Sequence, residues 1–217
     1  MIAKVFSAAV QGVEALLIEV EVGTRVVSEN APPTNIIVGL PDTAVRESSE
    51  RVKTALSAAG FLGGNSHIIN LAPADVRKEG PSFDLPIAIG MAICALQAEL
   101  PTLADYLIAG ELSLDGTLRP VKGVLALTAA AKKAGKKAIL LPHQNAEEAS
   151  LISGIEVYGA NCLNDAWLHL TGDAPLEAIK RKTNLNTFPC YSVDFSEVKG
   201  QAVAKRSIEI AAAGGHN

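Results

Sequence analysis

The sequence predicts a mixed-sheet fold, α+β or mixed α/β, and three observations carry that expectation. Strand-like segments come first as a hairpin and later alternate with helical ones; residues 83–96 are apolar on every side; and the periodic pattern stops near residue 170. With 217 residues, 48% of them hydrophobic, the chain can bury one substantial core and carry a small unit beyond it.

The opening hairpin is read as strands at 3–10 and 13–22 around a turn at Gln11 and Gly12. Leu16, Ile18, Val20 and Val22 alternate there with Leu17, Glu19 and Glu21, so one face is buried. A third strand at 35–40 runs into Pro41 and Asp42. The helix that follows carries a stripe of Val45, Ser49, Val52, Leu56 and Ala59, with Glu47 and Arg51 paired at i,i+4 on its outer side, and Gly60 ends it. A short apolar strand at 66–71 and a loop at 72–81 lead to the apolar segment 83–96, too short to span a membrane and therefore a central buried helix. Residues 106–114 form the next strand, turning at Asp115 and Gly116 and returning over 117–119. A helix at 123–134 is closed by Gly135, with Lys132 and Lys133 at the negative end of its dipole. Strands at 137–141 and 155–158 then alternate with helices around 145–151 and 163–170. From 171 to 191, proline, asparagine, threonine and the run Lys180, Arg181, Lys182 read as a linker, and 198–213 regains helical spacing.

Composition excludes several classes. No run of about eighteen apolar residues exists, and residues 1–11 lack the basic flank and long apolar core of a secretory signal, so the cytoplasm is the expected compartment. Cys94, Cys162 and Cys190 are odd in number and far apart, giving no disulfide framework. They form no zinc spacing with each other or with His67, His143, His169 and His216, which are read as core or surface histidines. Residues 1–173 hold 13 basic against 19 acidic side chains, a balance of −6, whereas 174–217 hold 6 against 4, a balance of +2. The globular part is not a basic nucleic-acid module; any DNA contact must be local. The candidates are Lys132, Lys133, Lys136 and Lys137, and separately Lys180, Arg181 and Lys182, each weighed against the plainer reading of a solvated face, helix cap or mobile tether.

No G-x-x-x-x-G-K-[ST] phosphate loop is present; the glycines at 60, 63 and 64 have no Lys-Ser/Thr after them and are read as a helix-to-strand turn. The most specific string is Arg77-Lys78-Glu79-Gly80-Pro81-Ser82. It resembles the K-D-G-P-S that carries the nucleophilic serine of Lon-type proteases, and residues 110–121, Gly-Glu-Leu-Ser-Leu-Asp-Gly-Thr-Leu-Arg-Pro-Val, resemble Lon's strand-turn-strand before its catalytic lysine. A serine needs a neighbouring base to lose its proton, and in a Ser-Lys dyad that base is a desolvated lysine. The resemblance places it five residues beyond Pro120, where this sequence has Leu125; Lys122 stands three residues earlier, out of register. Phe83 and Asp84 replace the family's small residues after the serine and are expected to crowd a substrate carbonyl. Ser82 is accordingly read as a helix N-cap, with a nucleophile as the alternative.

Further strings narrow the likeness. Residues 38–48 (Val-Gly-Leu-Pro-Asp-Thr-Ala-Val-Arg-Glu-Ser) with Arg51 and Val52, residues 70–75, residues 194–201 and residues 211–217 together resemble the ComM/YifB family of magnesium-chelatase-like AAA+ ATPases, over essentially the whole chain. The resemblance implies a Lon protease C-terminal domain-like fold, also described as ribosomal protein S5 domain 2-like, over 1–170, a linker over 171–191, and over 192–217 the start of an AAA+ module that stops short of its ATP-binding loop. It further implies a hexameric ATPase in the longer protein, using ATP and magnesium, whose ComM members are helicases promoting branch migration of DNA in natural transformation. For this segment the missing phosphate loop, the scattered cysteines and histidines and Leu125 at the lysine register give the expectation of no cofactor, no metal and a non-catalytic accessory role. The alternatives are a Lon-like serine peptidase with an unorthodox base, and a free-standing partner protein of 217 residues.

Overall fold

The computed structural model describes residues 1–25, 34–61, 66–180 and 195–215. Two compact units are distinguished, Met1–Lys182 and Thr183–Asn217. Arg181, Lys182, Cys190, His216, Gly63 and Gly64 lie outside the described residues.

In the first unit, β1 (Ile2–Gln11) and β2 (Glu14–Arg25) form the expected hairpin, joined through Gly12 and Val13. Ile18, Val20 and Val22 are fully buried, but Leu16 near the hairpin tip stays exposed, while Ala15 and Leu17 on the opposite face pack against the second core. β3 (Ile36–Val38) and β4 (Ser66–Ala72) complete a four-stranded sheet of order β1-β2-β4-β3, antiparallel except for the β3 and β4 pair. Between them runs α1 (Thr43–Ala58), which buries Val45, Ser48, Val52, Ala55 and Leu56. α2 (Asp84–Leu96) is buried at every residue from Asp84 to Cys94, as its all-apolar composition requires. Gly90 lets it approach the sheet: a Cβ there would lie 2.5 Å from Val22 Cγ2.

The strand expected over 106–114 is divided. β5 (Tyr106–Ile108) joins a parallel sheet of order β5-β8-β9 with β8 (Ala138–Pro142) and β9 (Glu156–Ala160). β6 (Glu111–Leu112) instead pairs with β7 (Leu118–Arg119). The change of partner falls at Gly110, whose N–H donates to the Ser82 carbonyl at 2.9 Å and whose carbonyl accepts from Leu85 N–H at 3.0 Å. α3 (Val124–Lys133), α4 (His143–Ala149) and α5 (Leu163–Thr171) follow as expected, and Lys132 and Lys133 occupy the last turn of α3. Beyond α5 the chain stays against the compact unit as far as it is described before the gap: Leu176 packs on the main core, and Ile179 packs on a second core under α3 and α4. The second unit contains a short turn at Phe195–Glu197 and α6 (Ala202–Gly214), none of whose residues is buried.

Candidate functional site

Both protease-like strings border one cleft of about 520 Å³. Ser82 enters from the loop before α2, Val121 and Lys122 from the segment before α3, and the carboxylates of Asp42, Glu79 and Glu111 share the lining. The structure therefore brings Ser82 and Lys122 to one cavity. No hydrogen bond joins them among the described residues, and Leu125 sits further along α3, half-exposed and outside the lining.

The loop carrying Ser82 is held by backbone and carboxylate contacts. Pro81–Phe83 is a single 3-10 turn, and the residue that caps α2 is Phe83. Ser82 is thus no N-cap: it lies inside the turn, and its hydroxyl makes no hydrogen bond among the described residues. This corrects the sequence reading, which did not anticipate the extra turn ahead of α2. Phe83 and Asp84 do not crowd the cleft either. Both are fully buried, turned into the core.

Asp84 explains the second correction. The Glu47 and Arg51 pair does not form; Arg51 reaches inward, Nε donating to Asp84 Oδ2 at 2.9 Å and Nη2 to Oδ1 at 3.1 Å, with the Ala44 carbonyl at 3.2 Å. Leu112 N–H gives the carboxylate a third hydrogen bond, the second at Oδ2. Burial pushes the Asp84 carboxyl above its ordinary range, while Arg51 and the Leu112 N–H pull the other way. A buried carboxylate wants a partner more strongly than a surface glutamate needs an i,i+4 neighbour, so Arg51 turns to Asp84.

Asp42 ties the other side. Its Oδ1 caps α1 by accepting from Val45 N–H at 2.8 Å, and its Oδ2 accepts from Gly80 N–H at 3.1 Å. Just before it, Gly39 has φ +98°, and a Cβ there would fall 2.1 Å from the Leu71 carbonyl oxygen, so the 38–42 string requires glycine at this position. Lys78 is fully buried and donates to the Pro73 carbonyl; burial pushes its ammonium down, opposed by Asp75. Sequence reasoning did not single out Lys78 or the Asp42 bridge. An aspartate directly before a helix is a signal that could have found the Val45 contact, but the Gly80 contact of its second oxygen reaches across 38 residues of chain.

The described lysine candidates do not gather into one free basic patch. Lys132 Nζ donates to the Ser153 carbonyl at 2.7 Å, and Lys137 pairs with Asp105 at 2.8 Å. Lys136 donates to the Ala104 carbonyl at 2.6 Å while lying 3.1 Å from the centroid of the Phe6 ring, an aromatic neighbour that the sequence did not suggest. Lys133 lines a shallow groove beside Val13 and Ala129, and Lys180 lines another beside His143. Arg181 and Lys182 are outside the described residues. Among the described residues no three His, Cys, Asp or Glu side chains are placed to hold a metal, and no helix is long and apolar enough to cross a membrane.

A mixed α/β unit with a serine loop and a strand-turn-strand framing one cleft is a Lon-like domain. Lon protease 2 of Bacillus subtilis is 29% identical over 132 residues, covering 60% of this chain and 23% of that protein. Residues 22–145 match the family model described as the ChlI subunit of Mg-chelatase, and the chain belongs to that family. The competence protein ComM of Haemophilus influenzae is 40% identical over 220 residues, 100% of this chain and 42% of ComM. The YifB protein of Escherichia coli is 39% identical over 214 residues, 98% of this chain and 41% of YifB. The chain thus spans about two fifths of the length of these relatives.

Proposed function

We propose that this segment is the non-catalytic N-terminal accessory domain of a ComM/YifB-type AAA+ ATPase. One observation carries the reading: both Lon-like strings border one cleft, and Leu125, the residue at the position where the resemblance expects a lysine, lies outside its lining. A frame kept without its base suits a domain that positions or regulates a motor. The whole-chain similarity to ComM supports the choice of motor. In the longer protein we propose a homo-hexamer in the cytoplasm that uses ATP and magnesium, works as a helicase and promotes DNA branch migration. The phosphate loop for that chemistry belongs beyond these 217 residues, since none occurs in them. Single-stranded or branched DNA is the proposed partner of the full-length protein, through the motor and the basic run Lys180, Arg181, Lys182.

The test compares the full-length protein with a version lacking residues 1–170, following ATP turnover and branch migration. ATP turnover retained with branch migration impaired is the expected result; loss of neither activity sinks the accessory role. Turnover of ATP by the 217-residue segment alone contradicts it as well. For the basic run, log K against log salt is measured for the full-length parent and the triple alanine variant at 180–182. A shallower slope in the variant is expected, and equal slopes remove the run from the interface.

A second reading, a serine peptidase with Lys122 as base, has in its favour that Ser82 and Lys122 line the same cleft. A dyad needs them within hydrogen-bond reach, and no such bond is formed. Casein incubation and a serine-directed covalent probe decide the matter: neither cleavage nor labelling is expected, and cleavage abolished by Ser82→Ala establishes the peptidase.

A further inference from the structure

The chain leaving α5 returns along the domain, held by Ala174 N–H donating to the Leu168 carbonyl at 3.1 Å, by the packing of Leu176 and Ile179 on the two cores, and by two further hydrogen bonds. Leu176 N–H donates to His169 Nδ1 at 3.0 Å, and Ile179 N–H donates to the Val157 carbonyl at 2.8 Å on β9, an edge strand of its sheet. Because Nδ1 accepts, the ring proton belongs on Nε2, which lies 3.1 Å from Tyr106 Oη and donates to it. The imidazole is buried, with Tyr158 stacked obliquely at 4.3 Å between ring centroids.

We infer that residues 173–180 are a detachable strap, latched by the neutral imidazole of His169, whose protonation releases the strap and uncovers the edge of β9. The chemistry is a donor and acceptor mismatch. A second ring proton must sit on Nδ1, where it faces the Leu176 N–H, so two donors confront each other and one must leave. An unpaired β9 edge is then available for pairing with another strand.

The groups around His169 set when this happens. β5 contributes Tyr106, next to Asp105; β9 contributes Tyr158, whose hydroxyl donates to Glu156 at 2.9 Å. α2, which also packs on α5, carries Asp84, already held by Arg51, and Cys94. The strap itself brings Glu177 beside Leu176, and Asp173, which accepts from Thr171 Oγ1. None of these carboxylates is hydrogen-bonded to the ring among the described residues. Burial pushes the imidazole below its ordinary value, so the latch is closed at neutral pH and opens on acidification.

The experiment follows the full 217-residue chain by nitrogen-15 NMR from pH 7.5 downward. It reads the His169 ring nitrogens together with hydrogen-exchange protection at Leu176 and Ile179, corrected for intrinsic rates, with the amides of β8 as internal reference. As His169 takes its proton, both strap amides should lose protection by about tenfold or more while β8 keeps its own. His169→Phe should produce the open strap at neutral pH, again with β8 unchanged. Protonation of His169 with the strap still protected overturns the latch. So does a strap that opens while the ring stays neutral, or a ring that protonates only when β8 unfolds with it.

Discussion

The guanidinium of Arg51 closes on both carboxylate oxygens of Asp84, joining the middle of α1 to the first turn of α2 beneath the Ser82 loop. Asp84 is wholly buried and Arg51 mostly so. Removing only the arginine leaves a buried carboxylate without its partner, which costs about 3–5 kcal/mol. Arg51→Ala should therefore lower the urea midpoint sharply. The double variant Arg51→Met, Asp84→Leu should recover most of the loss, because neither charge is then stranded. A double variant no more stable than Arg51→Ala contradicts this account.

Asp42 separates two roles by oxygen. Asp42→Ala should cost about 1–2 kcal/mol through loss of the α1 cap and the Gly80 contact. Asp42→Asn can keep its carbonyl oxygen toward Val45 but turns an NH₂ group toward the Gly80 N–H. Its expected signature is a Gly80 amide resonance that moves while Val45 stays in place, with a smaller stability loss. Equal shifts at both amides count against the division of labour.

Gly90 tests the closeness of α2 to the sheet. Alanine ordinarily gains about 1 kcal/mol over glycine inside a helix. At this position its Cβ meets Val22 Cγ2 at 2.5 Å, so strain of about 1–3 kcal/mol should outweigh the gain. Gly90→Ala is expected to lower the thermal midpoint, and Gly90→Ala with Val22→Ala to recover part of the loss. A higher midpoint in the single variant means that the sheet yields there.

His67 supplies a pH dependence. It is buried on β4 with Nε2 unpartnered, and burial pushes its pKa below the ordinary value. The unfolded chain therefore takes the proton first. The stability held by the neutral ring is complete above about pH 6.5 and is lost as pH falls toward the lower folded value, by at most about 1.4 kcal/mol per pH unit for one proton. Urea midpoints measured from pH 7.5 to 5 should fall along this window, and His67→Leu should flatten the slope. An unchanged slope in His67→Leu means that His67 is not the group responsible.

Most of the fold was legible because its signals are local. Alternation in β2, the stripe of α1 and the all-apolar α2 each follow from residues within one element. The likeness to the Lon loop was legible too, since Gly80, Pro81 and Ser82 are contiguous. What escaped were relations across the chain. A four-residue spacing made Glu47 the natural partner for Arg51, and nothing in the sequence announced that Asp84 would be buried opposite it. The continuous strand expected over 106–114 breaks at Gly110 because its neighbours change there, a fact of sheet assembly rather than of propensity. Lys122 was set aside by register, yet the turn before α3 carries it into the cleft with Ser82.

The stitching of Gly110 to Ser82 and Leu85 has one more consequence. The loop's shape is set by main-chain hydrogen bonds at Gly110 and by the carboxylate of Asp42, none of which is a side chain at 82, 122 or 125. Scaffold and chemistry are therefore separable: changing the side chain at 82, 122 or 125 leaves in place the hydrogen bonds that set the contour around it, so the shape of the cleft does not by itself fix what the cleft does.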